Sequence, residues 1–395
     1  MVLLDDPELE GKRIEIGNAG AATIGELIGR GGEGYVHELE DFSRSNELDS
    51  SSRTVVKILK EDLRAGKEDK IEAMIKNKPD IQEVDAEDFP PIAWPTASVT
   101  TPSGEFLGFE MPYVDYENSV TIYEYADSDE YPQRDADLTE IYRTGLNLAA
   151  MVHNVHESNH AIGDFNHKNI RVKNGYIALL DCDSYHIRAS SGEKYQGNTF
   201  EPRYAPPEEL TDSIRGVQSG DNFCLGIHIF QILMQGCHPY VPSNDSWTPE
   251  NADNIEQWIK HPEFSFPYLD DQDDIKAPPA LKERYEDFPK EIKELFELCF
   301  SNTSKIAGMG RPSPLKWIDP LDDLVPGGLG DIKNPWKNDI PGKAQPGSTE
   351  DTQPGSTEGA QPGSTENPLS TSSNSVDDND TNDEDDAPGD TTSPF

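Results

Sequence analysis

The sequence predicts an α+β fold of two lobes, β-rich in front and mostly helical behind, followed by a disordered acidic tail. Three observations predict it. Short β-type runs alternate with turns over residues 14–114. From residue 137 the apolar positions switch to helical spacing. From residue 325 onward no apolar pattern remains to bury. The expected divisions are thus 14–114, 115–324 and 325–395.

In the front part, residues 22–28, 54–59 and 106–114 are apolar and β-branched, as strands require, and 67–78 is one helical candidate among them. Behind, Leu138, Ile141, Tyr142, Gly145, Leu148, Ala149 and Val152 recur at three- and four-residue steps, which marks one buried helix face. Residues 223–234 and 290–300 read as further helices. The tail repeats Q-P-G-S-T-E at 345–350, 353–358 and 361–366. Pro and Gly break regular structure in each copy, and a polar repeat offers no face on which a solenoid could stack.

Charge narrows the function classes. The formal net charge is -42 and the pI about 4.4, with no basic stretch. Binding to nucleic acid or to an anionic membrane through a broad patch is excluded. The tail from 325 holds 14 acidic residues against 3 lysines, a net of -11, which leaves -31 on the folded part. Such a surface repels itself at ordinary salt and is tolerated where the Debye length falls to ~3 Å, near 1 M. A salt-loving cytoplasm is the expected setting. Residues 1–10 lack the apolar segment of a leader, and stretches such as 225–234 are too short to span a bilayer. The four cysteines (Cys182, Cys224, Cys237 and Cys299) form no C-x-x-C pair and read as reduced, buried small hydrophobes.

Residues 29–36 read G-R-G-G-E-G-Y-V, a G-x-G-x-x-G-x-V pattern in which Gly29, Gly31, Gly32, Gly34 and Val36 are the telling positions. Glycines let a turn between strands lay its N–H groups on phosphates without side-chain clash. A dinucleotide site would need the glycines to open a helix, whereas 35–39 reads as a second strand. Lys57 follows on a β-type run between Val56 and Ile58. A lysine there needs a charge partner, which phosphates and a helix glutamate would supply; the plain alternative is an exposed edge-strand lysine. Glu72 is the expected glutamate and Glu68 its rival. Residues 109–114 then end the β-rich part. Met111, Pro112 and Val114 are the expected adenine contacts, Pro112 through its carbonyl and Val114 through its N–H.

The most specific cluster is G-D-F-N-H-K-N-I at 163–170 followed by I-A-L-L-D-C-D at 177–183. Asp164 can accept a hydroxyl proton, while Asn169 and Asp181 can give oxygens to magnesium. Asx turns around a hairpin are the structural alternative.

At this point the chain resembles the eukaryotic-type protein kinase fold over about 14–324. It is most similar to a divergent bacterial and archaeal branch with a GGEG glycine loop, a GD-x-N-x-x-N-I catalytic loop and a D-x-D-S motif, matched at 31–34, 163–170 and 181–184. Residues 204–208 resemble the end of an activation segment, Asp221 the anchor of the helix after it, and Arg311 the late arginine that pairs with the segment's glutamate, here Glu208. The resemblance implies an ATP- and Mg2+-dependent transferase that moves the γ-phosphoryl group to Ser or Thr of a protein. Lys57 would orient phosphates, Glu72 hold Lys57, Asp164 position the hydroxyl, Asn169 and Asp181 bind magnesium, and Asp221 brace the catalytic loop. It also implies signalling partners, a von Willebrand A-type protein and a PP2C-type phosphatase.

Three positions depart from the usual pattern. Ile162-Gly163 stands for His-Arg, Asn166 for a lysine, and Asp183 for the glycine of DFG. With Gly163 in place of arginine, phosphorylation of the segment at its candidate site, Thr199, is not expected to act as the switch, although Arg203 offers a substitute clamp. A nucleotide-binding pseudokinase scaffold and a small-molecule kinase of related fold are the alternatives. The segment around Glu208 and its partner Arg311 favour a protein substrate over a small one.

Overall fold

A computed structural model describes residues 9–40, 53–81, 89–127, 138–197, 200–211, 217–241, 255–260, 266–268, 277–300 and 310–324. All lie in one unit, Met1–Pro341. The expected disordered tail and Thr199 fall outside these residues.

The front is a closed six-stranded barrel. Its strands are β1 (Arg13–Ile16), β2 (Gly20–Arg30), β3 (Gly34–Glu40), β4 (Thr54–Leu59), β5 (Ala97–Thr100) and β6 (Phe106–Pro112), in the order β1-β2-β3-β4-β6-β5. All pairs are antiparallel, and β1 closes on β5. Ile14, Ile16, Ala22, Ile24, Val56, Ile58, Val99 and Leu107 fill its interior. The period of two along a strand explains the position of Lys57. Val56 and Ile58 point inward, so Lys57 and Leu59 point out, and Leu59 packs with Ile71, Met74 and Trp94. Helix α1 (Lys67–Lys76) covers that outer face. The expected strand 106–114 stops at Pro112, and Val114 instead packs with Phe89, Ala93, Ala178 and Leu180.

The rest of the described chain is mostly helical: α2 (Ile122–Ala126), α3 (Leu138–Glu157), α4 (Pro207–Thr211), α5 (Gln218–Leu233), α6 (Ile255–Lys260), α7 (Pro279–Glu286), α8 (Lys290–Phe300) and α9 (Pro314–Asp322). The predicted periodic face of α3 is buried at Ile141, Leu148, Ala149 and Val152. Helix α5 is buried almost all round, and its Phe230 meets the rings of Phe266, Tyr268, Phe296 and Phe300. A helix apolar on every side must lie inside, as this one does.

A small sheet, β7 (Val120–Thr121), β8 (Ile170–Lys173) and β9 (Tyr176–Leu179), lies between these two parts. Leu179 donates its N–H to Pro91 and accepts from Ala93, which ties the sheet to the chain entering the barrel. Trp94 donates to the Met74 carbonyl at 2.9 Å and stacks on His160, whose ring bonds the Asn77 carbonyl at 2.8 Å. The end of α1 is thereby fixed to the chain that leads into 163–170.

The cysteines are free. Cys182, Cys224 and Cys299 are buried and Cys237 is half-buried. Burial pushes the thiol pKa of Cys237 up to about 11 and that of Cys299 to about 12. Among the described residues no helix is long and apolar enough to cross a membrane.

Candidate nucleotide and phosphotransfer site

The glycine turn joins β2 to β3. Gly29 lies opposite Val36 in the ladder, and Val36 lies opposite Lys57. Gly31 donates its N–H to the Gly34 carbonyl at 2.9 Å, and the Gly32 carbonyl takes Lys60 Nζ at 2.6 Å. Gly34 has a packing reason as well: a Cβ there would sit 2.4 Å from the Ile58 carbonyl oxygen, so only glycine lets β3 lie this close to β4.

Lys57 is buried and held by two carboxylates, Asp181 Oδ1 at 2.6 Å and Asp183 Oδ1 at 2.7 Å. Burial alone would lower its pKa, but attraction to Asp183 and Asp181 outweighs it and the pKa is raised. Burial likewise works to raise Asp183, and the charges of Lys57 and Lys67 reverse this, holding its carboxyl well below the usual range. Asp181 occupies the left-handed region at φ 51°, uncommon for a residue with a side chain and concentrated at functional sites. It lies two residues past the end of β9, and its side chain is about one-third exposed.

Glu72 is not brought to Lys57. It is exposed and pairs with Lys76 one turn along α1, at 2.9 Å. Its rival Glu68 is exposed as well. The inward face of α1 carries Lys70, Ile71 and Met74. Lys70 Nζ donates to the Asp183 carbonyl at 2.7 Å, and burial followed by repulsion from Lys67 lowers its pKa to about 8. Lys67 pairs with Glu33 of the glycine turn at 2.7 Å and approaches Asp183 Oδ2 at 3.7 Å. Burial raises the pKa of Glu33, with the nearby Asp183 carboxylate adding to it.

The loop 163–169 is shaped by buried bonds. Asp221, on α5, accepts the N–H groups of Ile162 at 2.8 Å and Gly163 at 3.0 Å, and bonds the His156 ring at 2.9 Å. His228 Nε2 bonds the Phe165 carbonyl at 2.9 Å; buried there, its pKa falls to about 3, so it is the neutral ring that donates. Asn169 Nδ2 donates to the Asp164 carbonyl at 3.0 Å, and Asn166 Nδ2 to Asp164 Oδ1 at 2.8 Å. Gly163 has φ +73°, and a Cβ would meet the His186 ring at 2.6 Å. The glycine in place of the usual arginine therefore follows from the closeness of His186.

ATP and Mg2+ fit the residues present. Asn169 spends its nitrogen on the Asp164 carbonyl, which turns its oxygen the other way, and Asp181 brings a carboxylate. Magnesium in phosphotransfer sites takes one or two such oxygens and the rest from phosphate and water. Met111 and Val114 pack against Ala178 and Leu180, an apolar floor suited to a flat ring. Arg311 holds Glu208 through both oxygens, at 2.6 and 2.8 Å.

Sequence reasoning missed Lys67, Lys70, Glu33 and the pairing role of Asp183. A signal for the lysines was present: 67, 70, 71 and 74 share one helix face with apolar Ile71 and Met74, whereas 68 and 72 fall on the other.

No family model matches the chain. Protein kinase YegI of Escherichia coli K12 is 30% identical over 311 residues, covering 76% of this chain and 44% of YegI. Protein kinase YegI of the O157:H7 strain is 29% identical over the same length and coverage. The chain thus spans less than half the length of these relatives. With this α+β fold and this similarity, the chain is a distant homologue of the bacterial protein kinase YegI.

Proposed function

We propose that the chain is an ATP- and Mg2+-dependent kinase that transfers the γ-phosphoryl group to Ser or Thr of a protein. The observation that carries this reading is the convergence of Lys57 from the barrel with Asp181 from the turn after β9, beside a glycine turn and a loop built on Asp164 and Asn169. Phosphoryl transfer needs little covalent chemistry from the protein; it needs positioning and charge neutralisation. In the proposed roles Lys57 meets the phosphates, the turn at Gly29, Gly31, Gly32 and Gly34 covers them, and Met111, Pro112 and Val114 receive the adenine. Asn169 and Asp181 hold magnesium, which draws charge from the phosphates, and Asp164 orients the acceptor hydroxyl. Asp221 keeps the loop in shape, and Arg311 with Glu208 supports the segment where a protein substrate docks. The barrel at 14–114 is the nucleotide lobe, 115–324 the substrate lobe and 325–395 an accessory tail. A high-salt cytoplasm, signalling, and von Willebrand A-type and PP2C-type partners complete the reading.

A second reading, a nucleotide-binding scaffold without transfer, is favoured by one observation. Asn166 stands where a lysine would touch the γ-phosphate, and it instead occupies an oxygen of Asp164. Incubation with γ-labelled ATP and Mg2+ in high salt, followed by phosphoamino-acid analysis of added proteins, separates the two. Label in phosphoserine or phosphothreonine supports the kinase. Calorimetric ATP binding with no label transferred supports the scaffold.

A further inference from the structure

We propose that Asp183, not an acidic residue of helix α1, is the anchor that positions Lys57, and that α1 contributes lysines to this anchor where a glutamate was expected. The inference rests on the kinase reading of the site and deepens it.

Helix α1 has three acidic residues, Glu68, Asp69 and Glu72, and all are exposed. Its inward face brings Lys67 and Lys70. Asp183 is fully buried on the opposite side and touches all three lysines: Lys57 at 2.7 Å through Oδ1, Lys67 at 3.7 Å through Oδ2, and Lys70 at 2.7 Å through its carbonyl. Glu33 adds a third carboxylate by pairing with Lys67 at 2.7 Å. Three lysines therefore face three carboxylates, Glu33, Asp181 and Asp183, so the charges of the cluster balance around the buried Lys57, Lys70 and Asp183. A buried charge without a partner is strongly destabilising, which is why the sign on α1 and the sign on the 181–183 turn must be exchanged together.

The exchange has a functional consequence. Both carboxylates that hold Lys57, the buried Asp183 and the part-exposed Asp181, lie on one turn, so the lysine and the proposed metal ligand are set by one rigid piece. Lys70, bonded to the Asp183 carbonyl and lying 3.4 Å from the Gln196 carbonyl, docks α1 on that piece and on the segment after it. Lys67 ties the glycine turn to it through Glu33. Movement of α1 would then loosen the glycine turn first and Lys57 only indirectly. Asp183 is a positioning residue, acting through Lys57.

The test compares wild type, Asp183→Asn, Glu72→Gln and Lys67→Gln with two readouts: phosphotransfer kinetics, and the rate at which acetic anhydride labels Lys57, followed by mass spectrometry. Ion pairing shields the ε-amine, so Lys57 labels slowly in wild type. Asp183→Asn is expected to label at least ~10-fold faster and to lose at least ~10-fold in kcat/KM for ATP, about the effect of 1.4 kcal/mol. Glu72→Gln is expected to match wild type in both. Lys67→Gln is expected to raise KM for ATP while kcat stays within about threefold, since it frees only the turn. The inference is overturned when Asp183→Asn labels and turns over as wild type does, or when Glu72→Gln shows the losses instead. Should Asp183→Asn fail to fold, Lys67→Gln decides: an unchanged KM overturns the proposal. Wild type that labels as expected but transfers nothing refutes the kinase reading, while the labelling still judges the anchor.

Discussion

Arg311 donates to both carboxylate oxygens of Glu208, at 2.6 and 2.8 Å, across 103 positions of the chain. The guanidinium also reaches the Ser219 carbonyl at 3.1 Å and lies over the Phe223 ring at 5.0 Å. Burial opposes its charge, and the bonds to Glu208 more than offset this, raising its pKa. One side chain thus fastens α4 to the start of α5, the helix that carries Asp221.

Arg311→Met is expected to lower unfolding stability by about 3 kcal/mol, because it strands Glu208 in a largely buried site. Arg311→Lys is expected to recover only part of that, since an ammonium cannot form the two-pronged contact. Urea denaturation of the three proteins checks both statements.

Gly163→Arg restores the residue usual before the catalytic aspartate, yet it is expected to impair the protein. The position has φ +73°, and the added Cβ falls 2.6 Å from the His186 ring. Left-handed backbone at a residue with a side chain costs on the order of 1–2 kcal/mol before the clash is counted. A lower melting temperature and slower transfer are expected. An unchanged melt would show that His186 moves aside freely.

Stability is expected to rise with KCl to molar concentration. Residues 1–324 carry a formal -31, and salt screens that self-repulsion. The Lys57–Asp183 and Arg311–Glu208 pairs do not oppose the trend, because burial shields them from solvent ions. Thermal melts at 50 mM and 2 M KCl check it; equal or higher stability at 50 mM would remove the high-salt reading.

The sequence carried the fold in its periodicities. Alternation at Val56, Lys57 and Ile58 is enough to aim the lysine away from the barrel interior, and three- and four-residue spacing places the α3 face at Ile141, Leu148 and Val152. Asp164, Asn169 and Asp181 could be proposed from the sequence because their spacing is local. Glu72 was misplaced for the opposite reason. Its pairing depends on which face of α1 turns inward, and that is set by packing of Ile71 and Met74 against Leu59 and Trp94, residues distant in the chain. A lysine at position 70 reads as surface in a sequence; only the distant Asp183 makes it a buried one. Strand β6 ended two residues early because Val114 is drawn into the cluster with Ala178 and Leu180, another long-range contact.

The central claim is that this site transfers a phosphoryl group to a hydroxyl oriented by Asp164. Its most direct test is the initial rate of γ-phosphoryl transfer by wild type and Asp164→Asn at matched ATP occupancy, with Mg2+ in 2 M KCl. Orientation and proton acceptance by one carboxylate contribute about 10²–10⁴ in rate. The account predicts measurable transfer by wild type, a loss of at least ~100-fold in Asp164→Asn, and ATP affinity within about threefold of wild type. Equal transfer by the two proteins, or none by wild type that binds ATP, would contradict it.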